Sequence, residues 1–218
     1  MKQFNINGVE VFAEEAERYV QINDASEAVL RSAWDEIISR FAGFEIALCY
    51  HNNEPPAGFL TEIGAEPLDD CIEMRLPRDG FNSLRPAGVF ILGEEDFNEF
   101  AALHDERNPD MYWTGARIKS DLTRWRIFIT RGGGKINGYA MTMVRLRDER
   151  QAEIFCAEAD YADEIKSLLV AAASDVFENG KDEIIYMPDA GTPQHDAALS
   201  VGFVETGYYK GYKAKLKK

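Results

Sequence analysis

The chain has 218 residues, 45% hydrophobic and 28% charged, which makes one large domain or two small ones and excludes disorder as a description of the whole. Lys plus Arg number 24 against 38 Asp plus Glu, a net charge of −14 that argues against nucleic acid or an anionic membrane as partner and favours cations. Cys49, Cys71 and Cys156 lie far apart with no CxxC, which argues against a disulfide framework or a zinc site and for a reducing compartment. Met1–Asn5 has no apolar stretch and no apolar run approaches the ~20 residues of a membrane span. The expected setting is the cytoplasm.

Taken in chain order, Phe4–Ile6 and Val9–Phe12 flank Asn7-Gly8, a hairpin signal. Tyr19–Ile22 reads as a strand. Asp24 is placed to cap a helix, with Glu27 three residues on. Leu30, Ala33, Trp34 and Ile37 give that helix an apolar face, so Trp34 is expected in the core. Gly43 stops the helix. Phe44–Tyr50 is a strand, Pro55–Ile63 a short helix ended by Gly64, and Asp70–Leu76 a strand. Pro77–Pro86 is the best linker candidate. Beyond it come strand Val89–Leu92, helix Glu95–Arg107, a weaker helix Asp110–Asp121, and strands Trp125–Thr130 and Lys135–Val144 joined by Gly132–Gly134. Strand Glu153–Ala157 leads to a long helix, Asp160–Glu178, with Asp160 as its cap. Strand Glu183–Met187, helix Pro193–Val201 and one or two strands over Val204–Leu216 follow.

This order predicts an α+β or α/β fold, a mixed and mostly antiparallel twisted sheet flanked by helices. Glu45–Gly64 and Glu183–Gly202 also align without a gap, with Glu45/Glu183, Ile46/Ile184, Pro55/Pro193 and Gly64/Gly202 identical. The expectation is a half-sized repeat over residues 1–80 before a full domain over 87–218. Coincidence between two ordinary strand–helix–strand segments is the other reading.

Residues 88–216 resemble the GNAT superfamily of N-acetyltransferases. Asp121–Phe128 with Ile136–Tyr139 is similar to the family's second helix and next two strands. Ala152–Ala157 is similar to its fourth strand, one residue shorter. Gly202-Phe203 and Tyr208–Leu216 are similar to its closing segment. The resemblance implies an acyl-CoA N-acyltransferase fold, acetyl-CoA as co-substrate, and a small-molecule or peptide amine as acceptor, with a homodimer among the expected assemblies. It implies that Ile154, Phe155, Cys156, Ala157 and Glu158 hold the pantetheine arm, and that Glu153 is the base. A solvated strand carboxylate is the alternative reading of Glu153.

The sequence departs from the family at two places. Its Arg/Gln-x-x-Gly-x-Gly/Ala loop falls on Asp160, Asp163 and Ile165, where a carboxylate and a β-branched side chain obstruct close backbone approach. The corresponding stretch of the first copy, Asn23–Val29, also lacks Gly. The tyrosine acid falls on Ala198, and on Leu60 in the first copy; Tyr161, Tyr186 and Tyr208 are substitutes. CoA is therefore expected to bind weakly, on the order of 100 μM or worse. A non-catalytic GNAT-like binding module that has lost the pyrophosphate site is the alternative function. His104 reads as a core-edge histidine, Gly132–Gly134 as a hairpin turn, and Cys156 as a buried thiol. No metal site is expected.

Overall fold

The computed structural model describes residues 2–81, 86–109, 111–144 and 149–214. In chain order the elements are β1 (Lys2–Ile6), β2 (Val9–Glu14), β3 (Tyr19–Asn23), α1 (Glu27–Arg40), β4 (Glu45–His51), α2 (Ala57–Ile63) and β5 (Glu66–Pro77). Then follow β6 (Phe90–Ile91), α3 (Phe97–Arg107), α4 (Gly115–Ser120), β7 (Trp125–Gly132), β8 (Lys135–Met143) and β9 (Gln151–Ala159). The chain continues through α5 (Ala162–Glu178), β10 (Glu183–Tyr186), α6 (Pro193–Val201) and β11 (Val204–Ala214). The fold is mixed and mostly antiparallel. Among the described pairings only β3–β4 and β9–β10 are parallel, each joined by a long helix.

Two compact units share the chain, one of residues 1–71 with 207–218, the other of residues 72–206. In the first, β1–β2–β3–β4 continues with Tyr209–Ala214 of β11, antiparallel to β4. In the second, β6–β7–β8–β9–β10 continues with Met74–Pro77 of β5, antiparallel to β10. This partition is interleaved, whereas the sequence placed a single boundary between residues 80 and 87. β4 takes as neighbour a strand that follows the whole second unit in sequence, whereas β10 takes one from the start of its own unit. Of the linker segment, Arg78–Gly80 is one 3-10 turn, and 82–85 lie outside the described residues.

The hairpin forms as the sequence dictates: Asn7 and Gly8 both adopt positive φ, 48° and 89°, the pair of angles a two-residue I′ turn needs. In the first unit Leu30, Ala33 and Ile37 of α1 bury against Val11, Val20, Ile22, Ile46 and Leu48. In the second unit α5 covers one face of the sheet, with Leu168, Leu169, Ala172 and Val176 on Phe128, Ala152, Ile154 and Ile184. Phe97, Phe100 and Ile118 of α3 and α4 cover the other, against Ile127, Ile129, Tyr139 and Met141.

Three local expectations need correction. Asp24 does not cap α1; the N-cap is Ser26, and Asp24 has φ 50° with a carboxylate that accepts from His51 N (2.8 Å) and Asn53 Nδ2 (2.9 Å). Asp160 does not cap α5; the N-cap is Tyr161, and Asp160 pairs with Arg107 at 2.5 Å. In both places a tertiary partner outcompetes the local cap. Trp34 is half-buried rather than central, its ring edge-on to Phe59 at 5.3 Å. Trp34→Ala is accordingly expected to cost roughly 2 kcal/mol, below the usual range for a fully buried Trp, and a shift in thermal midpoint checks it.

Candidate active site

The second unit carries a register shift in the middle of its sheet. β8 pairs Met141 with Cys156 but Thr142 with Ile154, so Phe155 is one residue too many and β9 bulges there. The bulge resets which side chains face which way. Ala152, Ile154 and Ala157 pack into the core under α5, while Phe155 and Cys156 join the opposite cluster with Trp125 and Met141. By alternation Glu153, and after the bulge Glu158, lie on that opposite face.

The bulge coincides with the end of a ladder. β9 and β10 pair from Gln151↔Glu183 to Ile154↔Tyr186, and β10 stops there. β9 runs on through Phe155–Ala159, paired among the described strands with β8 alone. The edge that would meet β10 therefore presents backbone donors and acceptors over the residues that the sequence assigned to a pantetheine arm. In the first unit the equivalent gap is shut. β3–β4 pairs to its last residues, Asp24 N donates to Cys49 O at 2.8 Å, and the Asp24 carboxylate takes the next amide, His51 N.

Glu153 is half-buried, opposite Met143 on β8, which is in turn opposite Trp125 on β7. Burial alone pushes its carboxyl up to about 7, and among the described residues no ion pair reaches it. Glu158 is also raised, chiefly by burial. Arg107 and a hydrogen bond from Gln194 Nε2 (3.2 Å) oppose that rise. Cys156 is a buried free thiol, raised by burial well beyond the ordinary thiol range, which disfavours its thiolate.

An aromatic wall stands beside Glu153. Trp125 meets Trp113 at 5.2 Å and Phe155 at 5.5 Å between ring centroids, both edge-on. Trp113 is fixed from behind by a buried network. Its carbonyl can only accept, so His104 Nε2, 2.7 Å away, carries the proton. His104 Nδ1 is then the acceptor from Tyr139 OH at 3.1 Å, and that hydroxyl accepts from Asn108 Nδ2 at 2.7 Å. Burial holds His104 below the usual histidine range, and the residue the sequence read as a core-edge histidine is fully buried.

The start of α5 differs from a phosphate cradle. Only Asp160 and Tyr161 separate β9 from α5, and no side chain caps the helix. Glu164 in its first turn is held by Asn137 Nδ2 at 2.9 and 3.1 Å, and Asp163 adds a second acid there. The acids oppose a phosphate by charge, not by capping as the sequence suggested. Ala198, the position at which the resemblance implied a tyrosine acid, is fully buried in α6. Of the substitutes, Tyr186 lies in the core beside Phe203, Tyr208 belongs to the first unit near Glu54, and Tyr161 is 68% exposed.

Among the described residues no group of His, Cys, Asp or Glu is placed to hold a metal ion, and no helix is long and apolar enough to cross a membrane. The structure thus brings together Glu153 and the bulged segment Ile154–Glu158. Sequence reasoning missed Trp113, Trp125 and Met143; the aromatic triplet Tyr112-Trp113 with Trp125 was the available signal.

No protein-family model and no curated protein matches the chain. Solved structures do. A GCN5-related N-acetyltransferase from Kribbella flavida superposes with a TM-score of 0.67 at 14% identity, covering 99% of this chain and 90% of its own. One from Sphaerobacter thermophilus gives 0.69 at 11%, covering 96% and 76%. An acetyltransferase of the GNAT family from Novosphingobium aromaticivorans, itself an assigned rather than a proven activity, gives 0.61 at 17%, covering 96% and 89%. Over nearly its whole length, then, the chain has the fold of the GNAT acyl-CoA N-acyltransferases, as the resemblance implied.

Glu153 also makes a stability statement. With a folded value near 7 against an ordinary 4.5, it keeps a proton that the unfolded chain releases. Its contribution is therefore full below about pH 4.5 and is lost as pH rises through 7. Glu153→Gln removes that loss. Relative to the wild type it is expected to gain roughly 1–3 kcal/mol at pH 8 and little at pH 4.5, read from denaturant midpoints at both pH values.

Proposed function

We propose that the chain is an N-acyltransferase that passes an acetyl group from acetyl-CoA to an amine, with Glu153 as the general base. The observation that supports this best is the coincidence at one point of the β9 bulge, the end of the β9–β10 ladder and a half-buried carboxylate with no ion pair among the described residues. Ile154, Phe155, Cys156, Ala157 and Glu158 are the residues to hold the pantetheine arm; Ile154 is the last of β9 to pair with β10, and from Phe155 onward the backbone edge is left unpaired by β10.

Acetyl-CoA supplies a thioester carbonyl, at which a C–N bond forms as the C–S bond breaks and CoA leaves as the thiol. An ammonium acceptor must first become neutral, because a protonated nitrogen has no lone pair. Glu153, ionised, takes that proton and later releases it to water. A carboxylate near 7 is matched to this duty at neutral pH, where one at 4.5 is a weaker base. Arg107, beside the start of α5, is already engaged with Asp160.

The start of α5 favours a second reading, a GNAT-like module that binds without turnover. Its two-residue loop and its acids Asp163 and Glu164 give a pyrophosphate little hold. A cytoplasmic setting and a homodimer accompany either reading as proposals.

For the acyltransferase reading, kcat/KM with acetyl-CoA is expected to rise with pH to a plateau above an apparent pKa of about 7. Glu153→Gln is expected to lower kcat by about 100-fold or more and to flatten that limb. Calorimetry is expected to give an acetyl-CoA Kd on the order of 100 μM, about −5.5 kcal/mol. Binding without any turnover over a panel of amines leaves the second reading standing; low-micromolar binding rejects the weak pyrophosphate site.

A further inference from the structure

We propose that the amine taken by this site carries one positive charge and an aromatic or bulky apolar body, received by Trp113, Trp125, Phe155 and Met143 beside Glu153. The transfer chemistry rests on the preceding reading, but the pocket does not.

The composition of this face decides the acceptor's chemistry. Around Glu153 the described neighbours include Met143 and Ile185 across its two ladders, Trp125 one strand beyond Met143, Arg75 one strand beyond Ile185 and engaged with Glu73 and Glu183, and Phe155 two residues on. The rings form a chain, Trp113 to Trp125 to Phe155, with centroid steps of 5.2 and 5.5 Å. Trp113, Phe155, Met143 and Glu153 are each half-buried, so one continuous surface is both apolar and reachable. Among the described residues one carboxylate, Glu153, lies at its edge and matches a single ammonium, while the Arg124 guanidinium already lies over the Trp113 ring at 5.3 Å and leaves that ring to contact the apolar body. A hydroxyl-rich or polycationic amine would bury donors against rings that offer no acceptors and would leave those hydrogen bonds unmade.

A further observation points the same way. The wall is also preorganised, since the His104–Tyr139–Asn108 network pins the Trp113 carbonyl before any ligand arrives.

The test uses the full chain without acetyl-CoA at pH 8, where Glu153 is ionised. 2-Phenylethylamine and ethanolamine are titrated by calorimetry, with tryptophan fluorescence as a second readout. Phenylethylamine is expected to bind about tenfold or more tightly, with its signal on the Trp113–Trp125 pair. Phe155→Ala is expected to remove most of that preference and Phe155→Leu part of it, and Glu153→Gln to weaken both amines. Near-ultraviolet circular dichroism establishes that each variant is folded. Equal affinity for the two amines, or a preference unchanged in folded Phe155→Ala, overturns the proposal. Tight phenylethylamine binding without acetyl transfer supports the pocket and rejects the catalytic reading. Efficient acetylation of ethanolamine or a polyamine in preference to phenylethylamine does the reverse.

Discussion

One extra residue in one strand governs the second unit. A β-strand alternates its side chains, so inserting Phe155 without a partner hands each later position of β9 to the opposite face. Without it, Ala157 would leave the core under α5 and Cys156 would enter it. With it, Glu153, Phe155 and Cys156 are gathered on one side. The same distortion lies where β10 ends, so backbone that a regular sheet would consume in pairing stays available at its edge. Local irregularity and site are thus one feature.

Around that feature the second unit spends its polar groups on fixing apolar ones. His104, Tyr139 and Asn108 form a closed set of donors and acceptors deep in the sheet–helix interface, and its visible product is the position of Trp113. Glu153, a few residues away in the ladder, receives no such satisfaction among the described residues, and its proton affinity rises accordingly. A satisfied histidine and a carboxylate without an ion pair among the described residues thus stand on one face. The first unit differs. There Asp24, a carboxylate at the matching strand end, is satisfied by His51 N and Asn53 and lies below its ordinary range despite burial.

What the sequence made legible follows from how local each cause is. Asn7-Gly8, the α1 stripe and Gly64 act within a few residues, and the hairpin, helix and helix end stand where they were read. Asp24 and Asp160 have the spacing of caps, but capping is weak and His51, Asn53 and Arg107, far away in sequence, compete successfully for them. Glu153 was named only through a resemblance, because strand alternation alone cannot reveal a bulge whose definition needs the register of β8. Trp113 sits in the irregular segment between α3 and α4, where no periodicity announces a role. The interleaving of the units was illegible for the same reason: β5 and β11 look like ordinary strands, and nothing in a strand names its neighbour.

That interleaving has a consequence for how the chain is made. The residues Tyr209–Ala214 that flank β4 leave the ribosome only after the whole second unit has been synthesised. Until then β4, with Ile46, Leu48 and Tyr50 already committed to the α1 core, waits with one edge bare. The nascent first unit is thus a long-lived sticky edge. Its completion is a late, long-range event with a high loop-closure cost, so the slow step in maturation belongs to the part made first.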